Sequence, residues 1–270
     1  MAERPANLPD YSNPPIDELA VGVQFPAVEG MHDAHVGLYW RMVREQYPRA
    51  ETQPRVEAPI EALGPPQIEA PVIQFPLSSA LQSRTWLINE TDDYLIQIQN
   101  NRIVQNWRRR EFAYPHFEQV WGRFIDNYGK FIGLLKSEDL PVPNVQQVEV
   151  TYINWISDIL PSKFLKASES ATISAYERTL EPASQTFTSR YDLNDDPIER
   201  LYVQCQPTLR AAAPNVQGSQ LALVYRATRA SGLTDEEIST YANSGRIIIV
   251  NAFTELTTAE AQRIWGRVVK

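Results

Sequence analysis

The chain has 270 residues, 43 % hydrophobic and 21 % charged, a composition ordinary for a globular protein and contrary to wholesale disorder. No apolar run approaches the ~20 residues of a membrane-spanning helix, and residues 1–15 lack the basic-then-apolar pattern of a signal peptide, so a cytoplasmic protein with no membrane attachment is expected. A net charge of −8 disfavours a surface that binds nucleic acid as a whole, and the single cysteine, Cys205, excludes an internal disulfide or an all-cysteine metal site.

Residues 1–15 carry four prolines and little apolar content, which predicts a flexible N-terminal arm. Residues 16–25 alternate and form a first strand, stopped by Pro26. Asp33 then suits the N-cap of a helix reaching Tyr47, with Val36, Tyr39, Trp40, Val43 and Tyr47 on one stripe. Residues 48–81 hold seven prolines and predict an extended, non-helical connection crossing the surface, with 72–76 as a short edge strand. Such a segment serves either as a packed irregular link or as a recognition segment for a proline-binding partner.

The stretch 86–110 organises the rest. Tyr94, Ile96 and Ile98 alternate with Leu95, Gln97 and Gln99, and Asn100-Asn101 supplies a two-residue hairpin turn. In that register Gln99 faces Arg102, Ile98 faces Ile103, Ile96 faces Gln105 and Tyr94 faces Trp107. One face carries Tyr94, Ile96, Ile98, Ile103 and Trp107; the other carries Gln97, Gln99, Arg102, Val104 and Asn106. A short strand at 85–89 precedes the hairpin through an acidic turn at 90–93.

Tyr114-Pro115 opens a long helix whose stripe is Phe117, Val120, Trp121, Phe124, Ile125, Tyr128, Phe131, Ile132 and Leu135. Strands follow at 145–155, 185–193, 200–209 and 219–229, with a short helix and a loop between 159 and 182. Pro207 places the far end of the third of these at an edge or a bulge. Thr234 with Glu237 is a capping box for a helix through Ile238, Tyr241, Ile248 and Phe253, and Thr257 with Glu260 opens a final short helix. The element order β-α-β-β-β-α, repeated, predicts an α+β fold. Two similar units, 16–143 and 144–270, would each be an antiparallel sheet covered by helices, an order shared with TATA-binding-protein-like and helix-grip folds.

Motifs for chemistry are sparse. Arg102, Arg108, Arg109 and Arg110 beside Trp107 and Asn106 offer charge and a flat ring, as single-stranded nucleic acid requires. Arginines that close a strand against acidic neighbours such as Glu111 and Glu118, with Trp107 buried, account for the same residues. His32, Asp33 and His35 fall short of a metal set, no metal or other cofactor is expected, and neither G-x-S-x-G nor a phosphate loop occurs. Cys205 lies mid-strand on a face expected to be buried, and the acidic turns at 92–93 and 192–196 are explained by turn chemistry. His116, beside Tyr114 and Arg110, is the one candidate for acid–base work.

Several segments together resemble a sporadically distributed bacterial protein family of unknown function. They are Asn13-Pro-Pro-Ile16, Leu95-Ile-Gln-Ile-Gln99, Asn106-Trp-Arg108, Tyr114-Pro115, Glu149-Val-Thr-Tyr-Ile-Asn154, Asn251-Ala-Phe253, Leu256-Thr-Thr258 and Trp265-Gly266. The resemblance implies a mobile or defence-related setting and brings no catalytic residues. Where family members often carry a histidine in the last long helix, this chain has Ser244-Gly245-Arg246. The combined reading is a non-enzymatic protein-interaction module, with a protein partner or self-association. Its recognition surface is placed at Gln97, Gln99, Arg102, Asn106 and Arg108. A nucleic-acid-binding protein using residues 102–110 is the alternative. A ligand-binding protein or enzyme with a pocket between sheet and long helix, near Arg110 and His116, is a further one.

Overall fold

Alternating apolar and polar side chains give the interior strands one dry face, and with a more polar strand at each edge they pair into a single nine-stranded antiparallel sheet. The structure, a computed structural model, describes residues 4–56, 60–63, 83–157, 159–169, 173–175, 178–182, 184–210 and 216–268. The first half contains β1 (Asp10–Tyr11), β2 (Ile16–Gln24), α1 (Asp33–Val43), β3 (Arg49–Gln53), β4 (Arg84–Ile88), β5 (Tyr94–Gln99), β6 (Arg102–Arg108) and α2 (His116–Ser137). The second contains β7 (Gln147–Ser157), α3 (Pro161–Phe164), α4 (Lys166–Glu169), β8 (Ile173–Ala175), β9 (Arg178–Leu180), β10 (Phe187–Asp195), β11 (Ile198–Arg210), β12 (Val216–Thr228), α5 (Asp235–Leu256), α6 (Ala259–Ile264) and β13 (Arg267–Val268).

The sheet order is β10-β11-β12-β7-β2-β6-β5-β4-β3. The two halves therefore meet where β2 pairs with β7, and from that seam each half runs outward in the same sense: its first strand in this sheet, its last, then the preceding ones in reverse order, β5, β4 and β3 in the first half and β11 and β10 in the second. At the seam Leu19, Val21 and Val23 lie opposite Tyr152, Val150 and Val148, all buried on one face. Helix α2 rests on β6 and β2, and α5 rests on β12 and β7, so both long helices cover that same face. Between them and the sheet lie Trp107, Phe117, Val120, Phe124, Phe131, Leu201, Val203, Leu221, Leu223 and Ile249, each contributing about 1.5–3 kcal/mol of burial. A buried amide, Asn127, donates to Gln105 Oε1 (2.8 Å) and Tyr47 Oη (3.1 Å) and so ties α2 to β6 and to the end of the α1 segment. On α5, Arg246 is 1 % exposed and pairs with Glu118 of α2, its guanidinium 5.1 Å from the Phe117 ring.

The hairpin of β5 and β6 has the expected register throughout, from Gln99 opposite Arg102 to Tyr94 opposite Trp107. Thr234 and Glu237 form the expected capping box, and α5 continues through its Ile-rich run because one face of that run packs inward. Elsewhere the structure differs from the expectation. The N-cap of α1 is His32, whose backbone N–H donates to His35 Nδ1, and α1 ends at Val43 instead of Tyr47. The proline-rich segment begins as an edge strand, β3, which needs ladder partners on one side only. Residues 72–76 lie outside the described residues. On α2, Ile125 faces solvent while Asn127 and Leu134 are buried. Thr257 closes α5 through its N–H and hydroxyl on the Phe253 carbonyl, which leaves Thr258 as the cap of α6. The N-terminal arm is laced in rather than free: β1 pairs with β13, Leu8 is buried, and Tyr11 Oη lies 2.9 Å from Thr254 Oγ1. Between β7 and β10 stand two short helices and the β8–β9 hairpin, more structure than one helix and a loop.

Two glycines test how closely helices meet the sheet. A Cβ on Gly245 would strike the Tyr225 ring, whereas one on Gly129 would meet nothing within 4 Å. Gly245→Ala should therefore cost about 1–3 kcal/mol by forced overpacking, and Gly129→Ala should add about 0.5–1 kcal/mol of helix stability. Equilibrium denaturant unfolding of the two variants checks the opposite signs.

Candidate functional site

The face of the sheet away from the helices is paved differently. Its residues follow from the ladder registers. One rung crosses all nine strands as Asp192, Arg200, Arg226, Glu149, Gly22, Val104, Gln97, Trp86 and Glu51. A second, two residues along, is rich in amides: Thr228, Gln147, Gln24, Arg102 and Gln99. These five side chains are 8 % exposed or less, although neither long helix covers them.

They are covered by the chain itself. After β3, residues 54–56 and 60–63 pass over the amide row as a strap. The Gln99 side chain takes both main-chain groups of one strap residue: its Oε1 accepts from Val56 N–H (2.9 Å) and its Nε2 donates to Val56 O (3.1 Å). Arg55 Nη1 donates to Asn100 Oδ1 (2.9 Å), and Gln147 Oε1 accepts from Glu61 N–H (3.0 Å). The carboxylate of Glu61, 6 % exposed, ends the run. Its Oε2 accepts from Arg200 Nη1 (2.6 Å) and from Tyr202 Oη (2.8 Å), and its Oε1 accepts from Arg226 Nη1 (2.8 Å). Burial pushes the Glu61 carboxyl up, but the hydrogen bonds from Arg226, Tyr202 and Arg200 together outweigh it and hold the group below the usual carboxylate range.

Beside the strap the face continues as a shelf of half-buried side chains: Ala20, Thr151, Ile153, Trp155, Ala222 and Val224. A polar chain borders the shelf on the first half. Arg84 Nη1 (2.9 Å) and Trp86 Nε1 (3.2 Å) donate to Gln97 Oε1, Gln97 Nε2 donates to Asn106 Oδ1 (2.9 Å), and Asn106 donates to Glu18. Burial pushes the Glu18 carboxyl up against the pull of that Asn106 bond and of Arg108. The guanidinium groups of Arg84 and Arg108 lie 5.3 and 5.4 Å from the Trp86 ring.

The residues singled out in the sequence are thus divided. Gln97, Gln99, Arg102 and Asn106 share the open face, where Gln99 and Arg102 lie beneath the strap. Trp107 points the other way and is 1 % exposed in the core, its ring 5.4 Å from Tyr114. The consecutive arginines are engaged within the fold: Arg108 and Arg110 share Asp92 with Arg49, and Arg109 donates to Pro14 O and Ile16 O (2.7 Å each). His116 begins α2 as an exposed residue with φ of 64°, its ring 5.3 Å from Tyr114. Cys205 is buried among apolar side chains, and burial pushes its thiol up to about 11. No cluster of three or more His, Cys, Asp or Glu side chains suited to a metal ion occurs among the described residues.

Glu61, Arg200, Tyr202 and Arg226 escaped the sequence reading. The apolar alternation through Leu201, Val203 and Cys205, and through Leu221, Leu223 and Tyr225, already implied that Arg200, Tyr202 and Arg226 project from the opposite face. Nothing local to residues 60–63 signalled their partner.

No family model and no curated protein matches the chain. Among solved structures, the chain is similar to the crystal structure of DynU16, a protein of the dynemicin biosynthetic locus, at 11 % identity and a TM-score of 0.22 over 88 % of this chain and 98 % of that one. A superposition that loose carries nothing from that protein to this one. Among the described residues, no helix is long and apolar enough to cross a membrane.

The Glu61 clamp has a pH signature. Its folded pKa lies below the ordinary glutamate value of 4.5, so the clamp contributes stability that is complete above that value and is lost as the pH falls through the folded one. Glu61→Gln should lower unfolding free energy by about 1–3 kcal/mol at neutral pH. The gap from wild type should close on acidification, as paired denaturation curves would record.

Proposed function

We propose that the protein is a non-enzymatic protein-interaction module that takes an extended, acidic segment of a partner polypeptide along the open face of its sheet. The observation that carries this reading is the Gln99 side chain bonded to both the N–H and the C=O of Val56. A carboxamide used in this way reads an extended peptide unit as a neighbouring strand would, without regard to its side chain. At Val56 the chain is thus held by this face through both of its main-chain groups. The shelf beside it supplies apolar contact from Ile153, Trp155 and Val224 for a longer segment, and Arg200 and Arg226 supply the charge that selects an acidic one.

A nucleic-acid ligand draws less support from the geometry, since Arg108, Arg109 and Arg110 are each committed to a carboxylate or to backbone carbonyls within the fold. A pocket against α2 draws little either, since large apolar side chains fill the space between that helix and the sheet.

Placing a photo-crosslinking residue at Ile153 on the shelf, and separately at Ile125 on the exposed side of α2, tests the assignment in the producing cell. Discrete polypeptide adducts are expected from position 153 and not from 125. Adducts from 125 alone, or nucleic acid in place of polypeptide at 153, would refute it.

A further inference from the structure

We infer that Arg200, Tyr202 and Arg226 form a receptor for one acidic residue of an extended chain, that Glu61 fills this receptor in cis, and that a partner gains the face by displacing it. The inference rests on the reading of the open face as a polypeptide-binding surface, and it names what selects the partner and what holds the face closed.

The receptor is built from rigid elements. Arg200 and Arg226 stand directly opposite each other on β11 and β12, a placement of like charges that would ordinarily oppose strand pairing. The sheet already offsets it laterally: Asp192 Oδ1 accepts from Arg200 Nε (3.0 Å) and Glu149 Oε2 accepts from Arg226 Nε (2.8 Å). Asp192 also pairs through Oδ2 with Arg190 (2.9 Å), so at this end of the sheet three guanidinium groups meet two carboxylates, and the place left for a third anion is the one Glu61 fills. Their remaining Nη1 donors converge on one point above the sheet, joined by the Tyr202 hydroxyl, and that point is where both oxygens of Glu61 sit. Bidentate capture of a carboxylate by fixed guanidinium donors is a specific, charge-assisted arrangement.

The main chain is read as well. Arg200 Nη2 donates to Ala62 O (2.8 Å), and Gln147 Oε1 accepts the Glu61 N–H. Carboxylate, its own amide and the next carbonyl are thus held together, a three-point description of an acidic residue in extended chain. All the donors and acceptors on the receptor side belong to the sheet, whereas Glu61 belongs to a segment with no helix or strand among its described residues 54–56 and 60–63. A tethered occupant acts at an effective concentration on the order of millimolar. A partner must therefore add contacts that the strap lacks, and the shelf of Thr151, Ile153, Trp155 and Val224 beside it is there to provide them.

The test uses a fluorescein-labelled peptide with the sequence of residues 54–63, titrated by anisotropy against wild type, Glu61→Gln and Glu61→Gln/Arg226→Gln. Glu61→Gln should bind the peptide about ten-fold or more tighter than wild type, the effect of one charge-assisted hydrogen bond. The double variant should fall back by a similar factor, and a peptide with Gln in place of its second Glu should lose the gain. Equal binding of the peptide by wild type and a cooperatively folding Glu61→Gln protein would overturn the receptor. As a check without any variant, excess peptide should speed hydrogen exchange at the Glu61 amide of the wild type, and no change at saturation would count equally against it. The Ile153 crosslink separates the two ideas: adducts that persist while the peptide fails would leave the face as a binding surface and reduce Glu61 to a structural pin, whereas loss of both removes both.

Discussion

The antiparallel pairing of β2 with β7 is the constraint from which the rest of the molecule follows. Both strands are interior, so each must satisfy neighbours on two sides, and both bury their apolar residues on the same face. Once these two first strands are joined, each half can grow in only one direction. The last strand of each half lies next to its first, and the helix that follows it, α2 or α5, returns over the seam. Two long helices consequently share one face, and the opposite face has none among the described residues. The pair between the buried Arg246 and the partly exposed Glu118 joins these helices where the halves meet.

A sheet with one helix-free face still has to settle its polar groups. Here that is done by rungs of complementary side chains and by a strap that returns across both halves, from Gln99 on β5 to Arg200 on β11. The side chains under the strap are amides, guanidinium groups and hydroxyls, not aliphatic ones, and hydrogen bonds hold it at Val56 and at Glu61. Such an attachment is directional and can be exchanged, whereas an apolar seal would be neither. The same chemistry that makes the strap fit also makes the face suited to another chain of similar kind.

Much of the fold was legible because its signals are local. The β5–β6 register followed from Asn100-Asn101 and from alternation, and the start of α5 followed from Thr234 and Glu237 despite the β-branched run inside the helix. The same alternation also put Trp107 on the core face, although its neighbours in sequence suggested a place in an exposed basic strip. The strap was not legible. Glu61 meets Arg200 and Arg226 across 139 and 165 residues of chain, and an ion pair leaves no periodicity for a sequence to display. The proline content that marked residues 48–81 as irregular spoke to their backbone and gave no hint of the surface that residues 54–56 and 60–63 cross. In the same way, the three consecutive arginines could be read as a basic strip only because their partners, Asp92 and the carbonyls of Pro14 and Ile16, are set by tertiary packing.

The seam also dictates how the chain can be made. Translation delivers β2 early, but its partner β7 follows the whole of the first half, so the nascent protein carries a bare, apolar strand edge until ribosomal synthesis is well advanced. The hairpin of β5 and β6 can close at once because its two strands are neighbours in sequence, and β6 can then guard one side of β2. The other side stays open to any passing strand, including the β2 of a second nascent chain on the same messenger.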